Sequence, residues 1–162
     1  MQTLKKEINL VEKMIKKDVA SETTVKILYK HIFKSDGKKI RARLNLISSS
    51  FNRNKNKIYR IKLAAIIELL HTATLVHDDV VDNSSIRRGN KSVNSLWSNA
   101  HGVLIGDYIY SKAFIYMVHI GNQKILQELS NATNDISQGE LIQLDAINNK
   151  EITLNKLKKI SY

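Results

Sequence analysis

The chain has no cysteine and no proline, only 6 glycines in 162 residues, and few aromatics, 6%. Each scarcity excludes something. Without cysteine there is no disulfide framework, no thiolate metal site and no cysteine nucleophile. Without proline, and with so little glycine, frequent sharp turns are disfavoured and long helices are expected. Few aromatics leave no evident platform for stacking bases, and no nucleic-acid recognition motif occurs, so no nucleic-acid partner is expected. Long hydrophobic runs are missing too. The best window, residues 61–76, is broken by Lys62, Glu68 and His71, so no transmembrane segment is expected. The first seven residues, MQTLKKE, lack the apolar centre of a signal peptide. Together these absences imply a cytoplasmic protein.

What is present is ordinary in amount, with 43% hydrophobic and 25% charged residues, but unbalanced in sign, with a formal net charge of +11. Such an excess suits anionic partners or substrates. It also suits a plain compositional bias, because Lys, Asn and Ile are all abundant and the cations run along the whole chain. A chain of 162 residues accommodates one domain with a real core.

Helical periodicity runs throughout. Leu4, Ile8, Val11, Met14 and Ile15 predict an amphipathic helix ending near Asp18. Ser21 is the expected cap of a shorter helix through Val25, Leu28 and His31. A turn at Ser35-Asp36-Gly37 leads into a third helix opened by Gly37-Lys38-Lys39-Ile40-Arg41. Cations at a helix start oppose the dipole unless an anion sits there, although a solvated basic turn would look the same. A polar stretch near residues 52–57 precedes a central helix reaching about Asp82. A loop over 83–90 and a helical turn over 92–98 that docks Trp97 follow. From Gly102 a helix apolar nearly all round, hence buried, ends at Gly121-Asn122. A further helix carries Ile125 to Leu144 with Gly139-Glu140 inside it, and a last helical segment spans 152–160. No convincing strand is found.

The chemistry concentrates in the central helix and just beyond it. Asp78 and Asp82 fall on one helical face, with His71 two turns back on nearly the same face and Thr74 between. Stacked carboxylates repel each other and oppose the negative end of the helix dipole, and a divalent cation relieves both. Arg87 and Arg88 follow, and guanidinium forks suit phosphate oxygens. A frayed acidic helix end balanced by surface arginines, and a hydrogen-bonded core histidine at position 71, are the plain alternatives.

Residues 71–82, with Asp78-Asp79-Val80-Val81-Asp82, followed by Arg87-Arg88-Gly89, resemble the first aspartate-rich motif of the trans-polyprenyl diphosphate synthases. Gly37-Lys38-Lys39-Ile40-Arg41 is similar to the family's basic motif, Gly106-Asp107-Tyr108 to its Gly-Asp motif, and Gln138-Gly139-Glu140-Leu141 to its Gly-Glu helix. Within that family it resembles the bacterial octaprenyl diphosphate synthases. The resemblance implies an all-α isoprenoid synthase (prenyltransferase) bundle, here truncated, with residues 1–162 forming the N-terminal part of one synthase domain. It implies an enzyme that condenses isopentenyl diphosphate onto an allylic diphosphate to make a long all-trans polyprenyl chain, octaprenyl-like, of the kind used as a quinone side chain. It further implies Mg2+ held by Asp78 and Asp82, an allylic diphosphate contacted by Arg87, and isopentenyl diphosphate held by Lys38, Arg41, His71 and Arg88. A homodimer is expected by the same analogy.

Ala73 and Thr74, small residues about one turn before Asp78, imply a long product, because short-chain members carry bulky aromatics near there. Met117 and Leu129 are candidates for the floor of a product tunnel, or ordinary core residues. The sequence departs from the family pattern at Asp36, Lys39, Ala42 and Asn83. It contains neither the second aspartate-rich motif nor the Lys-Thr dipeptide. The 162-residue chain is therefore expected to be impaired in elongation, and a degenerate remnant or a helical partner subunit is the alternative.

Overall fold

The 25-residue helix α4 (Lys57–Val81) is the axis on which the rest is hung. It forms where Ile, Leu and Ala dominate and no Gly or Pro intervenes. Ile61, Ala64, Ala65, Ile66, Leu69, Ala73 and Val76 are buried along it, mixing small and large side chains so that neighbours approach closely. A computed structural model describes residues 2–35, 37–51 and 56–149. It divides into two compact units, Met1–Ile120 and Gly121–Tyr162.

In the first unit, α4 packs against α1 (Gln2–Lys16), α3 (Ile40–Ser50) and most extensively α6 (Asn99–Ile120). Two glycines of α6 allow that approach. A Cβ on Gly102 would strike Val80, and one on Gly106 would strike the ring of His77. His77 Nε2 in turn lies 3.2 Å from the Val103 carbonyl and 3.3 Å from a carboxylate oxygen of Asp107. Arg60 of α4 stitches three helices together, reaching Glu7 of α1 at 3.3 Å, the Leu46 carbonyl at 3.0 Å and Ser49 Oγ at 2.9 Å. The link after α1 is fixed by side chains from elsewhere. Tyr29 donates to the Ile15 carbonyl, Tyr116 to the Met14 carbonyl, and Lys112 to the Lys17 carbonyl, while Tyr108 Oη accepts from the Ala20 N–H.

Several boundaries differ from the periodicity-based expectation, each for a local reason. Helix α2 (Thr23–Ile32) is capped by Glu22, whose carboxylate accepts from the Thr24 N–H, rather than by Ser21. Helix α3 begins at Ile40 rather than at Gly37, because Lys39 is left-handed (φ 50°). Helix α6 begins three residues before Gly102, where Ser98 Oγ accepts from the His101 N–H. The loop after α4 contains a short antiparallel pair, β1 (Ile86–Arg87) and β2 (Asn90–Lys91), that the all-helical reading lacked. Helix α5 (Val93–Leu96) is the predicted helical turn, and the Trp97 ring after it meets the His31 ring edge-on at 5.3 Å. The expectation that α6 is buried all round is corrected. Ile105, Ile109, Ala113, Met117 and Ile120 are buried, whereas Leu104, Ile115 and Val118 are exposed.

The second unit is described by α7 (Gln123–Asn149). Gly121, at φ 66°, ends α6, and Asn122 Oδ1 accepts from the Ile125 N–H to open α7. Gly139 and Glu140 lie inside the helix, as expected. The segment expected over 152–160, and Asp36 of the expected turn, lie outside the described residues.

Candidate functional site

The C-terminal end of α4 is shaped by its own backbone. The Ser84 N–H bonds to the Asp79 carbonyl at 2.9 Å and the Asn83 N–H to the Val80 carbonyl at 3.3 Å. Asn83 is left-handed (φ 50°), so the chain leaves the helix through a Schellman turn with Asn where Gly is commoner. Asn94 Nδ2 braces the turn by donating to the Asp79 and Ser84 carbonyls. This explains Asn83 as a backbone requirement.

The chain then reverses between β1 and β2 through Arg88 and Gly89, both at positive φ (50° and 76°). A two-residue hairpin with both central residues left-handed is the turn whose twist matches the strands. It gives the two arginines different surroundings. Arg87 reaches back to the helix end, where Nε and Nη2 lie 2.8 and 2.6 Å from Asp79 Oδ1. Asp79 is buried, and its hydrogen bond and charge, joined by the charges of Asp78 and Asp82, hold the Arg87 pKa above the ordinary guanidinium value, with burial opposing. Arg88 instead lies against Gly37, where a Cβ would collide with its guanidinium.

Arg88 thereby joins a cleft of about 400 Å³ lined also by Gly37, Lys38, Lys39, Ile40, Arg41, Glu68 and His71. All four residues expected to hold isopentenyl diphosphate, Lys38, Arg41, His71 and Arg88, are brought together here. His71 Nε2 is 3.0 Å from Arg41 Nη1. Partial burial and then the Arg41 charge push its pKa below the ordinary imidazole value; Glu68 opposes, and Arg88 and Arg87 add to the fall. A neutral imidazole accepting from Arg41 satisfies both observations.

Asp78 is half-buried and Asp82, the C-terminal cap of α4, is exposed. They supply hard carboxylate oxygens one turn apart, the donor type that magnesium takes, and magnesium commonly keeps several waters beside one or two carboxylates. The donor chemistry fits the ion, with Asp79 withdrawn by Arg87. Among the described residues no group of three or more metal-type side chains is gathered. Ala73 is sealed in the core, while Thr74 is half-buried with its hydroxyl donating to the His71 carbonyl. Met117 is buried in α6, and Leu129 is half-buried in the second unit.

The polyprenyl synthetase family model matches residues 22–162. An all-trans-nonaprenyl-diphosphate synthase (geranyl-diphosphate specific) of Rhodobacter capsulatus is 38% identical over 88% of this chain and 44% of its own length. An octaprenyl diphosphate synthase of Escherichia coli (strain K12) is 39% identical over 82% of this chain and 41% of its own. The chain belongs to the polyprenyl synthetase family. Its fold is that of the isoprenoid synthases. A polyprenyl synthase from Caulobacter crescentus CB15, solved with calcium and isoprenyl diphosphate, superposes with a TM-score of 0.90 at 31% identity, covering 98% of this chain and 48% of that one. The chain thus spans about half the length of the relatives it matches.

Two residues of this polyprenyl synthetase site escaped the sequence reading. Glu68 is buried, and its carboxylate accepts from the Ala42 N–H at 3.0 Å. Ala42 is the third residue of α3, so α4 itself supplies the cap that Lys39 does not give. The signal was available: an acidic residue inside an apolar stretch needs a partner. Asp79 gave no such signal, because only the hairpin that returns Arg87 to the helix end supplies its partner.

Proposed function

We propose that this chain carries the part of a polyprenyl diphosphate synthase that holds isopentenyl diphosphate and presents a metal-bound allylic diphosphate to it. The observation that carries the reading is the convergence of Lys38, Arg41, His71 and Arg88 on one cleft beside the helix that ends in Asp78 and Asp82. Three cations and a neutral imidazole suit a diphosphate, which arginine forks bind bidentately. The relative solved with calcium and isoprenyl diphosphate supports a hard divalent cation and a diphosphate as the ligand pair. Relatives named for octaprenyl and nonaprenyl products support a long all-trans chain, with Ala73 and Thr74 as small residues near its path and Met117 and Leu129 as tunnel-floor candidates.

In this reading Lys38, Arg41 and Arg88 fix the isopentenyl diphosphate. His71 orients Arg41 through Nε2, at 3.0 Å. Asp79 holds one edge of Arg87, whose other edge meets the allylic diphosphate. Magnesium, bound through Asp78 and Asp82, would help to neutralise the departing diphosphate, so that the allylic carbon–oxygen bond can ionise. The isopentenyl double bond then forms the new carbon–carbon bond, and loss of a proton completes the five-carbon extension. A cytoplasmic setting, a homodimer and one synthase domain comprising both units belong to the same proposal, the exposed residues of α6 supporting an interface.

The test is magnesium-dependent binding of farnesyl diphosphate by calorimetry. Asp82→Asn is expected to weaken it by about tenfold or more, as loss of a charged ligand does, and unchanged binding would refute the metal assignment. With one aspartate-rich motif in its sequence, the 162-residue chain is expected to incorporate little labelled isopentenyl diphosphate. Robust incorporation would show that the second motif is dispensable. A helical partner subunit is the second reading, favoured by the exposed apolar row Ile40, Leu44, Ile47 and Phe51 on α3 and just after it.

A further inference from the structure

A second cavity, of about 500 Å³, lies between the end of α1 and the outer face of α2 and shares no lining residue with the cleft of Arg41 and His71. Its apolar wall is Val19, Tyr29 and Phe33. The Tyr29 and Phe33 rings are buried with centroids 4.5 Å apart, and the Tyr29 hydroxyl is occupied by the Ile15 carbonyl at 2.7 Å. The remaining lining is four lysines, Lys16, Lys26, Lys30 and Lys34, with no carboxylate among them.

Lys26 and Lys30 stand four residues apart on α2, a spacing at which like charges repel, and Lys34 follows just beyond its end. Helix dipoles account for Lys16 and Lys30, each in the last turn of its helix. They do not account for Lys26, which lies in the first half of α2, a helix with no acid in its first turn. Among the described residues none of the four forms an ion pair. Of the nearby acids, Asp18 pairs with Lys17 and Glu22 accepts from the Thr24 N–H, and none lines the cavity. The result is a cavity of ligand size with an apolar wall and a ring of four cations, none of them ion-paired among the described residues. Lysine stems lie along apolar surface while their ammonium groups stay in water, so the same side chains serve both parts of a ligand.

We propose that this cavity binds an anionic amphiphile, with a phosphate-type head among Lys16, Lys26, Lys30 and Lys34 and a short apolar chain against Val19, Tyr29 and Phe33. The site stands apart from the diphosphate cleft and does not depend on the function proposed for it.

The experiment titrates monomeric dodecyl phosphate into the 162-residue chain carrying Lys38→Ala and Arg88→Ala, which disables the other cleft. One saturable site is expected. Adding Lys26→Glu and Lys30→Glu, both at exposed positions, should weaken it by about tenfold, and Lys30→Ala alone should weaken it by roughly threefold. Unchanged far-UV circular dichroism establishes that the variants fold, and the milder Lys30→Ala carries the test if the double reversal does not. Inorganic phosphate and the neutral amphiphile dodecyl maltoside should each bind about tenfold or more weakly than dodecyl phosphate. Absence of a saturable site, equal binding by the lysine variants, or phosphate binding as tightly as dodecyl phosphate would overturn the proposal. So would lysine-dependent binding to phosphatidylglycerol vesicles without binding of the monomeric amphiphile, because that would make the face a membrane-docking surface.

Discussion

Arg87 and Arg88 are neighbours in the chain and sit in different chemical surroundings. One guanidinium is anchored on a buried carboxylate, with its pKa held up by Asp79. The other lies against a glycine in a cleft of cations. The left-handed turn at Arg88 and Gly89 makes the difference. His71 reports on the same cleft. Its folded pKa is lowered, so the unfolded chain takes up the proton more readily. Its contribution to stability is therefore full above the ordinary imidazole value of about 6.5 and is lost as the pH falls through the lowered folded value. The His71 imidazole resonance is expected to titrate below that ordinary value and to move upward when inorganic diphosphate is added, because an anion offsets Arg41 and Arg88. Titration at or above the ordinary value in the unliganded chain would contradict this account of the cleft.

At the scale of elements, the start of α3 is set from outside the helix. Lys39 gives no side-chain cap, and the Glu68 carboxylate of α4 accepts from the Ala42 N–H instead. Glu68→Ala would leave that donor unpaired in a buried position and is expected to cost about 1–3 kcal/mol. Glu68→Gln keeps an oxygen acceptor and should cost less, about 1 kcal/mol. Urea unfolding midpoints check both, and two equal losses would show that hydrogen bonding is not what Glu68 supplies. Among the unexpected elements, the small β-pair was illegible because two residues per strand are too few for an alternating pattern. The early start of α6 was hidden by Asn99-Ala100-His101, which precede its apolar run.

At the scale of the whole molecule, the apolar surface has more to bury than this chain buries. Ile40, Leu44, Ile47 and Phe51 recur at helical spacing and are 56%, 62%, 45% and 84% exposed. A contiguous apolar row of this kind marks an interaction surface. Concentration-dependent association is expected in sedimentation velocity, and Leu44→Lys with Phe51→Lys should weaken it, leaving the association that α6 supports. Association unaffected by the double variant would exclude α3 as the contact. Among the described residues no helix is long and apolar enough to cross a membrane.

The sequence by itself determined the helical class, the central helix to within a residue of its end, and the membership carried by Asp78, Asp82, Arg87 and Arg88. These are local matters: periodicity selects helices, and a motif of fixed spacing survives in one dimension. It also named Lys38, Arg41, His71 and Arg88, which lie as far as 50 positions apart, but only through the family resemblance. Their meeting in one cleft was decided by tertiary structure, through Gly37 admitting Arg88 and Glu68 fixing the start of α3. Tertiary structure also decided that Asp79 belongs to Arg87, and that one side of an apolar α6 remains uncovered. The physical reason is the same in each case. Which partner a charge or an apolar face finds depends on which helix is laid against it, and hydrophobic pattern alone does not specify that neighbour.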